Sequence, residues 1–350
     1  MRENDFDNLL KQLSMPALVP ADAWRGLLAE TDSGQRAQLA HLAQEVAQKH
    51  FGKGVYVRAL IEISSYCRNN CNYCGLRCGN VLAQRYRLSK EEILECCRMA
   101  AALGFNTFVL QGGEDPQMSD EWLVDVVAAI RAEFPTKAIT LSVGERSMAS
   151  YSLLRSAGAD RYLLRHETAN EMHYSQLHPH SMDIYDRRRC LVDLKALGFQ
   201  VGSGMMVGSP GQGMDELVED LAFLDSLKPA MIGIGPFIPA SGTPFANEKA
   251  GSVETVLWLI SLLRLRFPKA LIPATTALAT LCENGTEQGV LAGANVVMPN
   301  VTPRGYAKNY TIYDNKKFRD SESAQQLELL EKKLNAIDRF VDYGRGDYKI

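Results

Sequence analysis

Three cysteines in one short segment are the residues of this sequence with the clearest chemical potential. Cys67, Cys71 and Cys74 are spaced C-x3-C-x2-C in SSYCRNNCNYCGL, directly after the apolar run 55–63. Three thiolates this close can bind three irons of a cubic 4Fe-4S cluster and leave the fourth iron without a protein ligand. Zinc sites usually pair C-x2-C with a second, distant pair, whereas ferredoxins use C-x2-C-x2-C-x3-C. A structural zinc site and unrelated thiols are the alternative interpretations.

The open iron decides what such a cluster could do. It can chelate the amino and carboxylate groups of S-adenosylmethionine (SAM), and one electron passed to the sulfonium then breaks a carbon–sulfur bond and releases a 5′-deoxyadenosyl radical. The spacing resembles the signature of the radical SAM superfamily, in which an aromatic residue such as Tyr73 packs beside the adenine. Cys78 extends the run by another C-x3-C, and a fourth ligand would abolish SAM binding. We therefore interpret Cys78, beyond Gly75, as a free thiol.

The composition is that of one large catalytic domain. The chain has 350 residues, of which 46% are hydrophobic and 23% charged, enough for a substantial core. A net charge of -3 gives no general attraction to nucleic acid or anionic lipid. No apolar stretch approaches the roughly 20 residues that span a bilayer. Eight cysteines are too few for a disulfide scaffold and no leader precedes them, so we expect a cytoplasmic protein.

The elements that must position the cysteines alternate between strands and helices. Residues 1–50 are predicted to form a helical extension, and residues 321–350 a helical tail that packs on the central domain. Between them lie eight β-rich runs separated by helical stretches: 55–63, 107–110, 138–143, 161–164, 200–206, 231–234, 270–272 and 295–298. This count and length predict an α/β fold, a (β/α)8 TIM barrel over residues 51–320. A doubly wound sheet is the competing fold, but no G-x-G-x-x-G follows the first strand.

A barrel builds its active site at the carboxyl ends of its strands, and polar or glycine-rich motifs fall there. The second run ends in Gln111-Gly112-Gly113-Glu114 and the third in Ser142. The Gly-Gly pair could form only a tight turn, but Glu114 is an acceptor that an iron-bound SAM ammonium would need. Arg165 and Glu167 are two apart, so they are predicted to share the inward face. A carboxylate and a guanidinium inside a barrel need a partner or a ligand, and SAM carries both charges.

Longer stretches resemble one family in particular. They are RALIEISSYCRNNCNYCGLR, LQGGEDP, RYLLRHETAN, GSGMMVGSPGQ, GIGPFIPASGTPFANEKAG, IPATTALAT and AGANVVMPNVTP. These stretches, from about Val55 to Pro303, resemble the FeFe-hydrogenase maturases HydE of the biotin synthase-like branch of radical SAM enzymes. The resemblance implies a complete barrel with one end holding the cluster and SAM, and a large, closed, anion-binding cavity below them.

The function implied by the resemblance is maturation of the hydrogenase H-cluster under anaerobic conditions. Such an enzyme is expected to act by radical chemistry on a cysteine-bound Fe(CO)2(CN) complex made by a partner, HydG. The product would be a precursor of the diiron subcluster that is assembled on the scaffold HydF. A reductant such as ferredoxin or flavodoxin is also implied. No nucleic-acid or membrane partner is expected.

The resemblance also implies site residues, motif by motif. The cluster ligands fall on Cys67, Cys71 and Cys74, and Arg187 is chosen from its neighbours because it begins an R-x-x-C pattern that ends at Cys190. The full set of expected SAM-binding residues is Tyr73, Gly113, Glu114, Ser142, Glu167 and Arg187. The expected residues of the substrate cavity are Arg58, Gln111, Arg165, Thr275, Thr276, Met298 and Tyr306.

One departure and three alternatives accompany this interpretation. Some family members carry a C-terminal cysteine trio for an accessory cluster, but no cysteine follows Cys282, so we predict a single cluster. A methylornithine synthase-type rearrangement is one alternative. Biotin-type sulfur insertion is another, although Ser142 and Met206 stand where a second cluster would need cysteines. The third is a non-catalytic iron-sulfur carrier whose cluster Cys78 closes.

Overall fold

The computed structural model of the chain describes residues 3–29, 32–316 and 323–349. The residues predicted as a helical extension form three helices: α1 (Glu3–Leu13), α2 (Ala21–Leu28) and α3 (Ser33–Phe51). A capping box starts α3, because the side chains of Asp32 and Gln35 each accept from the other's backbone N–H. These helices pack on the outside of the main domain, where Phe6 stacks on Trp258 with ring centroids 6.1 Å apart.

Strands and helices alternate through the rest of the described chain. The strands are β1 (Gly54–Val57), β2 (Ala59–Ser64), β3 (Thr107–Gly112), β4 (Ala138–Ser142), β5 (Arg161–Leu163), β6 (Gln200–Ser203), β7 (Met206–Val207), β8 (Met231–Ile232), β9 (Gly235–Pro236), β10 (Val296–Val297) and β11 (Phe340–Asp342). The helices are α4 (Lys90–Ala102), α5 (Asp120–Glu133), α6 (Met148–Ala157), α7 (Glu171–Leu177), α8 (Ile184–Ala196), α9 (Met214–Leu227), α10 (Val253–Arg266), α11 (Thr276–Leu281), α12 (Gly285–Leu291), α13 (Arg304–Ala307) and α14 (Ser323–Asn335). No helix of the described ranges has the length and apolar character needed to cross a membrane.

The strands close into a parallel ring. One sheet has the order β2-β3-β4-β5-β6-β8. The seventh β-rich run joins it through single bridges, from Leu271 to Met231 and from Pro273 to β10. The ring closes where Leu60 N–H donates to the Pro299 carbonyl at 2.9 Å. The predicted (β/α)8 barrel is therefore confirmed, although run 270–272 forms bridges rather than a strand.

The register of this barrel sets three polar side chains at one level. Glu62 pairs with Gln111, and Gln111 pairs with Ser142, on adjacent strands. Their neighbours Ile61 and Leu110 are fully buried, as expected of parallel strands that are covered on both faces. Because the residues of one level in a barrel share its interior, this polar row lies directly below the loops that follow the strands.

The predicted helical tail is helical only in its first half. α14 ends at Asn335, and β11 then pairs in parallel with β1, with Gly54 opposite Phe340. The residues after β11 cover the amino ends of the strands, which we call the lower end of the barrel. Arg161 there donates to the carbonyl of Arg345 at 2.8 Å. The prediction was wrong after Asn335 because pairing with a strand almost 300 residues earlier overrode the local helical period.

Candidate functional site

The three cysteines lie in the loop between β2 and α4, at the carboxyl ends of the strands, which we call the upper end. All eight cysteines of the chain are free thiols. Burial is the main cause that raises the pKa of the Cys67, Cys71 and Cys74 thiols, to about 12 for Cys74. Backbone N–H groups oppose this shift, those of Asn69 and Glu114 at Cys67 and that of Leu76 at Cys74. Buried thiols supplied with amide donors suit the thiolate ligands of an iron-sulfur cluster.

Two glycines hold the cysteine loop in a fixed shape. A Cβ on Gly113 would lie 2.3 Å from the Tyr66 carbonyl and 2.7 Å from Cβ of Cys67. A Cβ on Gly75 would lie 2.0 Å from the carbonyl of Thr311, and the Gly75 N–H donates to the Ile312 carbonyl at 2.9 Å. The loop is therefore clamped between the residues after β3 and the chain that follows α13.

The donor set fits a 4Fe-4S cluster held by three thiolates. After burial, the neighbouring thiols of Cys74 and Cys67 raise the pKa of Cys71, and that of Cys67 raises the pKa of Cys74, as expected of nearby groups of like charge. In the described ranges, no three His, Cys, Asp or Glu side chains are placed to hold one metal ion; a cluster, by contrast, offers each thiolate its own iron. Cys78 is exposed, and its interpretation as a free thiol stays a prediction.

A chain of alternating charges runs beside the cysteines. Arg187 forms an ion pair with Glu145 and donates to the Arg165 carbonyl at 2.8 Å, and Arg165 pairs with Glu167 at 2.6 Å. Glu167 has a φ of 66°, unusual for a residue with a side chain. Arg187 and Glu167 act in opposite directions on the pKa of the Cys71 thiol. A carboxylate and a guanidinium are thus close to the cluster ligands, as binding of the SAM amino acid group would require.

Glu145 is a member of this chain to which sequence reasoning assigned no role. Burial raises the pKa of its carboxyl group, and the charge of Arg187 opposes that shift. For Arg187 itself, burial disfavours the charge, but Glu145 and nearby groups raise its pKa above the usual value. The signal in the sequence was an acid directly after a glycine that follows a strand. That glycine, Gly144, has a φ of 82°, a conformation typical of glycine.

Glu114 connects two loops of the upper end. One carboxylate oxygen accepts from the Glu145 N–H at 2.9 Å and the other from Nε of Arg68 at 3.1 Å. A Cβ on Gly144 would lie 1.9 Å from Cγ of Glu114. In this structure the carboxylate joins the β3 and β4 loops, and its role as an acceptor for the SAM ammonium stays a prediction.

Tyr73 and Ser142 flank the same region. The Tyr73 hydroxyl lies 3.3 Å from Nε2 of His178, and the two rings meet edge-on with centroids 5.6 Å apart. Burial is the main cause that lowers the pKa of His178, to about 3, so the imidazole is neutral. Ser142 is half-buried at the end of β4. Contact of either residue with SAM stays a prediction.

Three expected cavity residues line one cavity of about 750 Å³. They are Thr275, Thr276 and Met298, and Tyr310 lies with them. The hydroxyl of Thr275 is buried and has no hydrogen-bond partner in the described protein. The lining of this cavity includes the exposed residue Lys308, so the cavity opens to solvent, and the closed cavity that the resemblance implied stays a prediction.

Four other expected cavity residues do not line this cavity. Gln111 reaches it indirectly, because its Nε2 donates to the Tyr310 hydroxyl at 3.3 Å. Arg165 pairs with Glu167, and its buried Nε has no partner in the described protein. Arg58 and Tyr306 lie farther away.

Arg58 and Tyr306 do not line this cavity, and their assignment to the substrate cavity stays a prediction. The Tyr306 hydroxyl donates to Glu92 on α4 at 2.7 Å, outside the barrel, whereas Tyr310, four residues later, contacts Gln111 inside it. Arg58 lies at the lower end, where it donates to Sδ of Met231 at 3.1 Å. It precedes the upper end of β2 by six residues, or about 20 Å along a strand.

A buried ion pair inside the barrel was missed by sequence reasoning. Glu62 is fully buried, accepts from Asn300 at 2.9 Å, and pairs with Lys316. The Lys316 ammonium also donates to the Tyr310 carbonyl at 3.1 Å and lies 4.7 Å from the centroid of its ring. Burial raises the pKa of Glu62, and Lys316 opposes the shift. The signal was one acid in the apolar run of β2; its partner, 254 residues later, has no local signal.

Known proteins were compared with the chain and its structure. Residues 61–224 match the family model described as the radical SAM superfamily. The [FeFe] hydrogenase maturase subunit HydE of Thermotoga maritima is 46% identical over 289 residues, which are 83% of this chain and 82% of that protein. The 3-methylornithine synthase of Methanosarcina acetivorans is 31% identical over 301 residues, 85% of this chain and 84% of that protein. A crystal structure of methylornithine synthase superposes with a TM-score of 0.83 at 27% identity, covering 95% of this chain and 97% of that one.

Proposed function

The chain belongs to the HydE family of radical SAM enzymes, and on that premise we propose how its residues serve maturation of the FeFe-hydrogenase H-cluster. Its cofactors are a 4Fe-4S cluster and SAM, which when bound supply one-electron cleavage of a carbon–sulfur bond and hence radical chemistry. Cys67, Cys71 and Cys74 would hold a single cluster. Glu167 and Arg187 would bind the ammonium and carboxylate of SAM.

The substrate in this proposal is a cysteine-bound iron complex that carries carbonyl and cyanide ligands. The observation that supports it is the Thr275 hydroxyl, which is buried without a partner and belongs to the lining of the 750 Å³ cavity. Buried polar groups normally have hydrogen-bond partners, so this donor is available to a ligand. Cyanide nitrogen is a hydrogen-bond acceptor. A second buried donor without a partner in the described protein, Nε of Arg165, lies at the upper end.

The proposed partners follow from family membership. HydG would supply the iron complex, HydF would receive the product, and an electron-carrier protein would reduce the cluster. We place the reaction in the cytoplasm because cytosolic thiols stay reduced and can hold iron and sulfide.

A methylornithine synthase-type rearrangement is the second candidate, since that enzyme shares 31% identity and the fold. A maturation assay separates the two. Cluster-reconstituted protein, SAM and reductant are mixed anaerobically with HydF, HydG and apo-hydrogenase, and hydrogen production is measured. A parallel reaction contains lysine instead of the partners. We expect active hydrogenase and unchanged lysine. Turnover of lysine without hydrogenase activity would contradict the proposal.

The cavity can be tested separately from SAM chemistry. Replacing Thr275 and Thr276 by Val keeps their shape but removes both hydroxyls. We expect 5′-deoxyadenosine formation without substrate to continue and maturation to be lost. Thr140→Val is the matched control, because the hydroxyl of Thr140 is also buried without a partner but lies on β4 outside the cavity lining. Equal loss of maturation in the control would show a general effect on the barrel.

A further inference from the structure

The cysteine loop carries a concentration of positive charge. Residues 65–89 contain four arginines and no acid, in a chain whose net charge is -3. Two of these arginines have acidic partners outside the loop, Arg87 with Asp115 at 2.6 Å and Arg68 with Glu114 at 3.1 Å. The side chain of Arg68 is nevertheless 59% exposed. The loop therefore presents a basic surface on a protein that is slightly acidic as a whole.

The other two arginines bind backbone instead of acids. Arg85 donates to the carbonyls of Leu76 and Arg77 at 2.8 and 2.7 Å, and Arg77 donates to the Asn70 carbonyl at 3.2 Å. Neither forms an ion pair with any described residue. Carbonyls satisfy the hydrogen bonds of a guanidinium but leave its net charge in place, so the positive potential of the loop is not neutralised from within.

Two apolar side chains project from the tip of this loop. Val81 is 95% exposed and Leu82 is 66% exposed, and they are the only consecutive pair of large hydrophobic residues that is exposed in the described chain. Single exposed apolar residues are common and need no explanation. An adjacent pair within an entirely basic segment is a different arrangement, because it combines an apolar centre with a charged border.

The tip is held in place next to the cluster ligands. The side chain of Asn80 is buried and donates to the Gly75 carbonyl at 2.8 Å and to the Ser241 carbonyl at 3.0 Å. Its oxygen accepts from the Leu82 N–H at 3.0 Å. Gly75 directly follows the third cluster cysteine, and the charge of Arg85 lowers the pKa of that thiol. A protein bound at the tip would thus lie beside the cluster.

We propose that Val81 and Leu82, together with Arg68, Arg77 and Arg85 of the same loop, form the docking surface for an acidic one-electron carrier protein. An apolar centre with a polar rim is the usual anatomy of a protein interface, and transient redox encounters use small ones. The complementary charges accelerate association and select an acidic partner. On docking, the carrier loses one electron and the cluster gains it, and no atom or proton is exchanged. This inference depends on the radical SAM cofactors but not on the identity of the substrate.

The test compares two charge variants at one position. Leu82→Glu and Leu82→Lys remove the same apolar side chain but add opposite charges. Leu153→Glu and Leu153→Lys are the matched controls, because Leu153 is 52% exposed on the outer helix α6. Two quantities are measured for each holoprotein. One is the Kd of oxidised flavodoxin, an acidic probe, from flavin fluorescence. The other is the rate of 5′-deoxyadenosine formation with flavodoxin hydroquinone or with dithionite as reductant.

We expect Leu82→Glu to raise the flavodoxin Kd by about tenfold or more and Leu82→Lys to raise it much less, since only the first adds a like charge. Both control variants should bind as the wild type does. Dithionite-driven rates should be equal in all five proteins, because a small reductant needs no docking surface. Equal Kd values for Leu82→Glu and Leu153→Glu would overturn the proposal.

The wild-type protein supplies a second test that depends on no variant. The flavodoxin Kd should rise when salt increases from about 50 to about 300 mM, because screening weakens the attraction between exposed charges. The dithionite-driven rate should stay constant. A Kd that does not change with salt would overturn the proposal. Hydrogenase maturation enters neither test, so their failure is distinguishable from failure of the proposed function.

Discussion

The two ends of the barrel use the same residue type in different ways. At the upper end, Arg165 and Arg187 pair with side-chain carboxylates, those of Glu167 and Glu145. At the lower end, the fully buried Arg161 donates to main-chain carbonyls of the C-terminal segment, and its other partners are the side chains of Asp347, Gln200 and Thr107. A carboxylate can exchange its partner for the charges of a ligand, whereas a carbonyl fixed in the backbone cannot. The partners of a buried arginine therefore distinguish binding from structural positions better than burial does.

Removing one cluster ligand is the largest perturbation of the upper end. Cys71→Ala should lose the cluster and all SAM cleavage, whereas Cys78→Ala should keep about four irons and four sulfides per chain. The reason is that Cys71 is buried between the half-buried Cys67 and Cys74, whereas Cys78 is exposed. Iron and sulfide analysis after anaerobic reconstitution measures both. Loss of the cluster in Cys78→Ala would contradict the open-iron interpretation.

The Glu62–Lys316 ion pair is an exception to this comparison. It contains a carboxylate and lies at the upper end, but it is as buried as the structural arginine of the lower end. Lys316→Met should destabilise the protein by about 3–5 kcal/mol, since it leaves a buried charge without a partner. Lys332→Met is the matched control, because the ion pair of Lys332 with Glu328 is exposed. The control should melt at the wild-type temperature.

The effect of Lys316→Met should depend on pH. Burial raises the folded-state pKa of Glu62, and without Lys316 that pKa rises further. A raised folded-state pKa makes stability highest below the unfolded pKa and lowers it as pH rises through the folded pKa. Destabilisation should therefore be smaller at about pH 5 than at about pH 7.5. Thermal melts at both values measure it, and an equal loss would exclude ionised Glu62 as the cause.

At the lower end, Arg161→Met should reduce stability by about 2–3 kcal/mol, because it removes the hydrogen bonds of a buried guanidinium to Asp347 and to the carbonyls of Arg345 and Gly346. The fraction of Arg161→Met that folds should bind SAM with the wild-type Kd. Thermal melts and SAM titration monitored by EPR measure the two quantities. Weaker SAM binding would break the separation between the two ends.

Glu167→Gln, at the upper end, should weaken SAM binding without loss of the cluster, the opposite of what is expected for Arg161→Met. Losing one charge-assisted contact costs about 1.5–3 kcal/mol, so the SAM Kd should rise roughly tenfold to a hundredfold while the cluster stays. Arg187→Ala should weaken SAM binding in the same direction. An unchanged SAM Kd in both variants would contradict the assignment of these residues.

The smallest effect is expected at Tyr306, which contacts Glu92 outside the barrel. Tyr306→Phe should leave maturation at the wild-type level, whereas Tyr310→Phe, which removes the acceptor of Gln111 inside the barrel, should lower it. The hydrogenase maturation assay compares the two. A larger loss of maturation in Tyr306→Phe than in Tyr310→Phe would support the assignment of Tyr306 to the substrate cavity.

Local sequence was sufficient for the parts of the fold that local interactions determine. The helices α4, α5, α8 and α9 begin and end within two residues of the limits 90–103, 121–133, 185–197 and 214–227 that the sequence predicts, because caps and periodicity define them. The cysteine loop was predictable because its ligands lie within eight residues. The strand β11 and the ion pair of Lys316 were not predictable, since each depends on a partner far away in the chain. The contact of Tyr310 with Gln111 was not predictable either, because nothing local distinguishes Tyr310 from Tyr306, four residues earlier.

The pairing of β11 with β1 constrains how the chain is made. Residues 54–56 emerge from the ribosome long before residues 340–342, to which they bond. The hydrogen bond from the guanidinium of Arg161 to the carbonyl of Arg345 likewise cannot form until Arg345 has been synthesised. Contacts of such long sequence separation form late because closing the intervening loop is entropically unfavourable. The lower end of the barrel is thus completed only after the residues of the candidate site have been synthesised.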